Sequence, residues 1–471
     1  MVVLHDRGDF TLDTYRRVAW EGEPVEIGPA ALQRIGEMRS SLERLVANNP
    51  GRHYYGTTTT SGEGVKTVLT PERRRAYLDR GIHGWTFGDP LPQRVVRGIV
   101  FTRLINFIEG NAGVRPVLVE AVAEYLDGRE LTVPSRGHSW EIGVAGHLYK
   151  GLQERVDGFE MKETMALVNG CPAGTAVLCD LTLAGRQRIE LVLQTMALGA
   201  EAVLAPHEHY AEELGELWID EDEATAMARM RELLEGGSAE RRPFQAPVSY
   251  RIIPRMVGIA LRAQQLAEKA AATMLRAVSD NPVYVPPKEG RPDGDIWSTG
   301  GYHPAQAIHA IDNLAYAWAN LCQLSYHQAS RLAGDDFALG GTRPADGGRP
   351  NGAMGNAAWA YEVAQLAQPT LLPLTGTGTQ TDAGSMSFAA WRKASEIGRS
   401  LDAMLAVNAA TASEVFDLTD RPVAPRLEQF LAFVRSHREP DSASDTLGDD
   451  LGALADTFTA RVYGQEATAM A

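Results

Sequence analysis

The strongest constraint on this fold is the recurrence of apolar residues at intervals of three and four, over runs too long for a small surface helix. Across 304–332, Ile308, Ile311, Ala315, Trp318, Leu321 and Leu324 keep that spacing and Gly334 closes the run. At ~1.5 Å per residue such a helix reaches roughly 40 Å, the dimension of a bundle's central rod. The segments 254–278 and 386–415 repeat the pattern. A shorter case opens with Pro116 at a first-turn position, aligns Leu118, Ala121, Val122, Tyr125 and Leu126, and stops at Gly128. Strand signals are few and short. The pattern predicts a mainly α fold, with loops over 236–247, 286–301 and 334–355 and an exposed acidic connection over 436–450.

Composition limits what such a bundle does. A chain of 471 residues with 44% apolar content can bury a large core. Its 45 basic against 60 acidic residues give a formal charge of −15, which repels nucleic acid and anionic membrane. Neither is expected as a partner. Three cysteines, Cys171, Cys179 and Cys322, form no metal-ligand spacing and suit a reducing compartment, so no metal and a cytoplasmic setting are expected. The first ten residues mix His5, Asp6, Arg7 and Asp9 among apolar ones and hold no signal-peptide core. The apolar stretch 176–205 carries Asp180, Arg186, Arg188 and Glu190, too many charges for a membrane helix.

Several short motifs punctuate the helical runs: Tyr55-Gly56-Thr57-Thr58-Thr59-Thr60-Ser61-Gly62, then Ile82-His83-Gly84-Trp85-Thr86-Phe87-Gly88-Asp89-Pro90-Leu91, then Gly113-Val114-Arg115-Pro116. Lys162-Glu163, Asn169-Gly170, Gln245-Ala246-Pro247-Val248-Ser249-Tyr250-Arg251, Asp280-Asn281-Pro282, Gly300-Gly301-Tyr302-His303 and Gln380-Thr381-Asp382 follow. The glycine-rich piece 62–67 lacks Walker spacing and places Glu63 where a phosphate would sit, which argues against a nucleotide loop.

In that order and spacing, from about Val25 to Tyr463, these motifs resemble the aromatic amino acid ammonia-lyase and aminomutase family, closest in pattern to the histidine ammonia-lyases. The resemblance implies an active-site region over 1–175, a central long-helix bundle over 176–420 and a helical C-terminal segment over 421–471. It also implies a homotetramer whose active sites are shared between subunits and bind a small molecule. It assigns Tyr55 as the base, which requires that neighbouring positive charge or donated hydrogen bonds stabilise a phenolate whose unperturbed pKa is about 10. It places His83 near the substrate and Arg251 on a substrate carboxylate, while Asn169, Gln245, Tyr302 and Gln380 would contact substrate or cofactor. On residue chemistry alone, His83 could equally be packing, Arg251 an ordinary ion pair and each amide a helix cap.

One departure stands out. Where the relatives carry the Ala-Ser-Gly triplet that cyclises into a methylidene-imidazolone electrophile, this chain has Glu141-Ile142-Gly143. The exocyclic double bond of that group arises by loss of a serine hydroxyl, and isoleucine has none. Ser139 is no substitute, because Trp140 would have to supply the ring-closing nitrogen that an unhindered glycine normally gives. Further departures are Val248 for a tyrosine, with Tyr250 a candidate replacement, Gly301 for an asparagine, and Thr381 for a glutamate. Glu141 itself could serve as a general acid or base if buried, or pair with Arg136 or His138, or face solvent. The expectation is an enzyme without this cofactor that works by Tyr/His proton transfer on a substrate already activated by a carbonyl, thioester or conjugation. Elimination, isomerisation and cyclisation by conjugate addition in specialised metabolism all fit. Two other readings stand beside it: a non-catalytic homologue binding a small acid or a partner protein, and an ammonia-lyase with an unusual active site.

Overall fold

The computed structural model describes all residues except 138–140, 336, 340–350, 374–379, 438–446 and 466–471, and leaves aside the side chains of 141, 351–355 and 447. Helices dominate. Those that matter for the site are α1 (Pro29–Asn48), α2 (Gln93–Ile108), α3 (Pro116–Ala123), α4 (Glu141–Leu148), α5 (Glu163–Val168) and α6 (Pro172–Ala202). The later rods are α7 (Ile253–Met274), α8 (Ala305–Leu332), α9 (Asn351–Leu366), α10 (Ser387–Thr419) and α11 (Leu447–Val462). The periodic segments over 254–278, 304–332 and 386–415 are therefore helices, each with its ends shifted by a few residues. The run after Pro116 tightens into a 3-10 turn over Glu124–Leu126 before Gly128, at φ +73°, ends it.

Strand content among the described residues is three two-stranded pairs. Val2–Leu4 runs parallel to Val25–Ile27, Phe87–Pro90 antiparallel to Pro134–Arg136, and Val283–Val285 antiparallel to Asp295–Trp297. The last pair falls partly in the 286–301 segment expected to be loop, because Tyr284 opposite Ile296 supplies a buried apolar face that composition alone hides.

The chain forms two compact units, each assembled from separated stretches: Met1–Thr182 with Ala267–Ile311 and Thr370–Trp391, and Leu183–Leu266 with Asp312–Pro369 and Arg392–Ala471. In the first unit, Leu42, Leu45 and Val46 of α1 pack with Tyr54, Tyr284 and Ile296. Tyr284 is further fixed by its hydroxyl on Ser41 Oγ at 2.8 Å and by a reciprocal pair of bonds with Asn111. This cluster seats the residue before Tyr55 and the strand after Asn281 on the same support. The region Glu163–Ala202 is long and apolar enough to cross a membrane by composition, but 94% of its most apolar window is buried inside the protein, as in a core helix.

Candidate active site

A cavity of about 630 Å³ lies within the first unit, a size suited to a small organic ligand. Tyr55, Asn169, Tyr302 and Gln380, all expected in the site, line it together with Ile142. Asn281, Cys171, Thr299 and Ser298 also line it and were not singled out as site residues by the sequence. The only signal for Asn281 was its place in the Asp-Asn-Pro motif. Cys171, next to the Asn169-Gly170 pair, carried none beyond being a cysteine.

Tyr55 sits on a loop that folds back on itself. The amides of Thr57, Thr58 and Thr59 all converge on the Tyr54 carbonyl. The Thr58 hydroxyl bridges the Tyr54 amide and the Arg52 carbonyl. Threonine hydroxyls thus serve the local backbone rather than the phenol, as short hydroxyl side chains commonly do. Gly56, at φ +59°, is required twice over, since a Cβ there would lie 2.3 Å from Met165 Cγ on α5. Burial pushes the Tyr55 phenol up; hydrogen bonds from the Asn169 side chain and the Gly62 backbone pull it part of the way back, and Tyr77 and Tyr302 add to the rise. The net direction is upward, and none of these influences is a cation. The resting group is a neutral phenol, a proton donor first.

The altered triplet begins α4, and Ile142 lines the cavity. The Gly143 carbonyl accepts from the Trp85 amide at 2.9 Å and from Thr86 Oγ1 at 3.2 Å, so the 83–86 segment lies directly against this helix. Gly146 permits that approach, since a Cβ there would meet the Gly84 amide nitrogen at 2.0 Å. The Glu141 side chain lies outside the described residues.

The remaining expected residues are placed elsewhere. His83 is exposed and does not line the cavity. Gln245 is exposed and Arg251 half-buried in the second unit, with Arg251 Nε buried and unpartnered. Tyr250, the candidate replacement for the missing tyrosine, is fully buried in that unit, donating to the Gln328 carbonyl at 3.0 Å, and its phenol is pushed well up by burial. It is a packing residue in this chain. Gln380 donates its backbone amide to Glu63 Oε1 at 3.0 Å, linking its segment to the tyrosine loop.

Three of the motifs meet in two ion pairs. Glu163 is fully buried and accepts from the Arg115 amide, Nε and Nη2 and from the Glu160 amide. Lys162 Nζ meets Asp280 Oδ2 at 2.5 Å, both side chains fully buried. Burial draws the ammonium down and pushes the carboxyl up, each opposed by its partner. Among the described residues no group of His, Cys, Asp or Glu could hold a metal ion.

The architecture is that of the helical ammonia-lyases and aminomutases. It superposes on a tyrosine aminomutase from Streptomyces globisporus with a TM-score of 0.85, covering 97% of this chain and 96% of that one at 20% identity. It superposes equally on the ergothioneine-degrading enzyme ergothionase from Treponema denticola, with a TM-score of 0.86, 98% and 99% coverage and 16% identity. The aromatic amino acid lyase signature matches residues 10–148 and 150–436, and the chain belongs to that family. A histidine ammonia-lyase from Burkholderia multivorans (strain ATCC 17616 / 249) is 26% identical over 503 residues, spanning 97% of each chain. The family's members are enzymes, lyases and aminomutases that act on small molecules.

Proposed function

We propose that this protein is a family member that works without the methylidene-imidazolone, using Tyr55 to move protons on a substrate that arrives already activated. The carrying observation is that Ile142, which has no hydroxyl to lose, lines the same cavity as Tyr55. Without an internal electrophile, the acidity of the substrate's α-carbon must come from its own carbonyl, thioester or conjugated chain. A positioned acid or base adds ~10²- to 10⁴-fold, enough for such substrates and too little for an unactivated amino acid.

The raised phenol selects a direction. As a hydroxyl of the substrate attacks the β-carbon of an unsaturated carbonyl, Tyr55 gives its proton to the α-carbon, and the proton leaving the attacking hydroxyl restores the phenol. One C–O bond forms, one C=C π bond is consumed and no redox partner is needed. Isomerisation and elimination use the same proton in the other sense. Amide and hydroxyl groups from Asn169, Tyr302, Gln380 and Thr299 suit an oxygen-bearing acid or thioester. Because Arg251, Gln245 and His83 do not line the cavity that holds Tyr55, the reading includes a homotetramer in which neighbouring copies complete the site. That arrangement fits a cytoplasmic enzyme of specialised metabolism.

Three measurements test this. Intact mass should equal that of the encoded 51.1 kDa chain, and a mass lower by the water lost on cyclisation would restore the ammonia-lyase reading. Tyr55→Phe should lower turnover of an unsaturated hydroxy-thioester at least ~10²-fold, and unchanged turnover would sink the proposal. Light scattering should give four copies. A monomer would leave Arg251 and His83 stranded and favour the non-catalytic, small-acid-binding homologue.

A further inference from the structure

We propose that the buried Lys162–Asp280 ion pair is a positioning device for Tyr55, clamping α5 at both ends so that the Asn169 carboxamide points its N–H at the phenol oxygen. This rests on the reading of Tyr55 as the proton-handling group. Lys162 and Asn169 are the two caps of α5, whose six residues span roughly 9 Å. They are tied to two consecutive residues: Lys162 Nζ to Asp280 Oδ2 at 2.5 Å, and Asn169 Nδ2 to the Asn281 carbonyl at 2.5 Å. The helix that carries the cavity's amide is thus held at entry and exit by one dipeptide.

That dipeptide is itself immobilised. The second carboxylate oxygen of Asp280 accepts the Asn281 amide at 2.8 Å. Asn281 Oδ1 accepts from Ser298 Oγ at 3.1 Å and from the Thr299 amide at 2.9 Å. The Asn281 carbonyl therefore has a fixed direction. A carbonyl oxygen only accepts, so the end of Asn169 facing it must be the NH₂ group, which removes the usual ambiguity between the two ends of a carboxamide. The second N–H of that group remains for Tyr55, and the Asn169 contact does hold the phenol's pKa down against burial, as donation to a phenolate would. Buried Arg103 adds to the fixation by donating to the carbonyls of Ala166 and Asn169 in the last turn of α5. Lys162 meanwhile sits at φ +76°, a conformation that a non-glycine residue keeps only where its surroundings impose it.

Stability alone is a weak reason for this pair, since apolar residues of similar volume often replace buried ion pairs without loss. The charged neighbours are accounted for: Arg103 faces both members, Arg39 also faces Lys162, and Tyr77 and Tyr302 face Tyr55.

The test is a titration of the phenol itself in the full-length protein. Replacing Tyr55 alone by 3,5-difluorotyrosine gives a more acidic phenol with a ¹⁹F signal that can be followed while the protein stays folded. Asn169→Ala should raise its midpoint by about one unit, a tenfold change in the ionisation constant. Paired Lys162→Met and Asp280→Leu replacement should raise it by at least half as much, and should add almost nothing in the Asn169→Ala background, because both act through the same amide. An unchanged midpoint in the folded paired variant, or a fully additive shift, overturns the clamp. If the paired variant does not fold, Asp280→Asn, which keeps an acceptor for the Asn281 amide, should still raise the midpoint. If that variant also fails to fold, or leaves the midpoint unmoved, the pair serves the fold alone and the inference is wrong. No substrate is needed. Unchanged turnover in Tyr55→Phe with the midpoint shifts intact would sink the functional reading and leave the clamp standing.

Discussion

Among the described residues, the ion pairs Arg188–Asp402 and Lys162–Asp280 are fully buried on both sides, and they are built differently. In the long-helix unit, Arg188 of α6 grips Asp402 of α10 with a planar fork, Nε to Oδ1 at 2.9 Å and Nη2 to Oδ2 at 2.8 Å. Its guanidinium lies 4.7 Å from the Trp318 ring centre and 5.6 Å from that of Tyr463, and Thr459 donates to the same carboxylate. Neither residue lines the cavity. In the other unit, Lys162 makes one contact to one oxygen and leaves the second oxygen of Asp280 to a backbone amide that leads to the cavity. Both carboxylates are spent. The arginine fork consumes its partner and fixes helices against each other; the lysine point charge leaves half of its partner free to orient something else.

The comparison breaks most directly at Arg188. Arg188→Met strands a buried carboxylate and should cost about 3–5 kcal/mol, whereas Arg188→Met with Asp402→Leu should recover most of it. Urea denaturation of both variants decides this, the midpoint falling far more for the single change. Turnover per folded molecule should stay at the wild-type level in the double variant. If the double variant is as unstable as the single one, the pair is no helix staple. If it folds and loses activity, the contrast with Lys162–Asp280 is false.

A finer test is Gly398→Ala on α10. The added methyl would lie 2.6 Å from Arg188 Cζ and under 3 Å from both Nη atoms, and a guanidinium held by a fork and two aromatic rings has nowhere to retreat. Overpacking of this kind costs ~1–3 kcal/mol. Alanine is otherwise the better helix residue by ~1 kcal/mol, so the sign of the measured change reports whether the fork is rigid. A stabilised Gly398→Ala protein would show that it is loose.

The same contrast explains what the sequence reveals. Rods at 305–332 and 387–419 are legible because a bundle interior is apolar all along a face, and periodicity records that. Tyr55 is legible through its motif. What is lost is partnership. Lys162-Glu163 and Asp280-Asn281 are visible as motifs, but their pairing at a sequence separation of 118 residues has no local trace. The four threonines of the tyrosine loop suggest hydroxyls for the phenol, yet the nearest acceptors are backbone carbonyls, and those win. The environment of Tyr55 is equally invisible in sequence: a phenolate needs a cation or several donors, and the influences on it within this chain are burial, two donors and two other phenols. Arg251 and His83 match their motifs in sequence, yet neither lines the cavity, because motif order along a chain does not record which side chains meet in space.

The smallest effect belongs to a half-buried pair, where Arg17 Nε and Nη2 contact Glu23 at 2.7 Å. The Arg17 guanidinium, helped by the terminal ammonium, holds the Glu23 carboxyl at about 2, below its ordinary value of 4.5. A depressed carboxyl contributes fully above its unfolded value and loses that contribution as pH falls through the folded one. The stability difference between wild type and Glu23→Gln should therefore be flat above about pH 5, shrink between 4.5 and 2, and vanish below. Since both groups keep part of their surface in water, salt at about 1 M should shrink the difference. Asp402 bends the acid limb the other way, because burial raises its carboxyl. A Glu23→Gln difference that persists at pH 2, or ignores salt, would mean that this half-buried pair is shielded like Arg188–Asp402, and that burial does not separate the two kinds of ion pair in this protein.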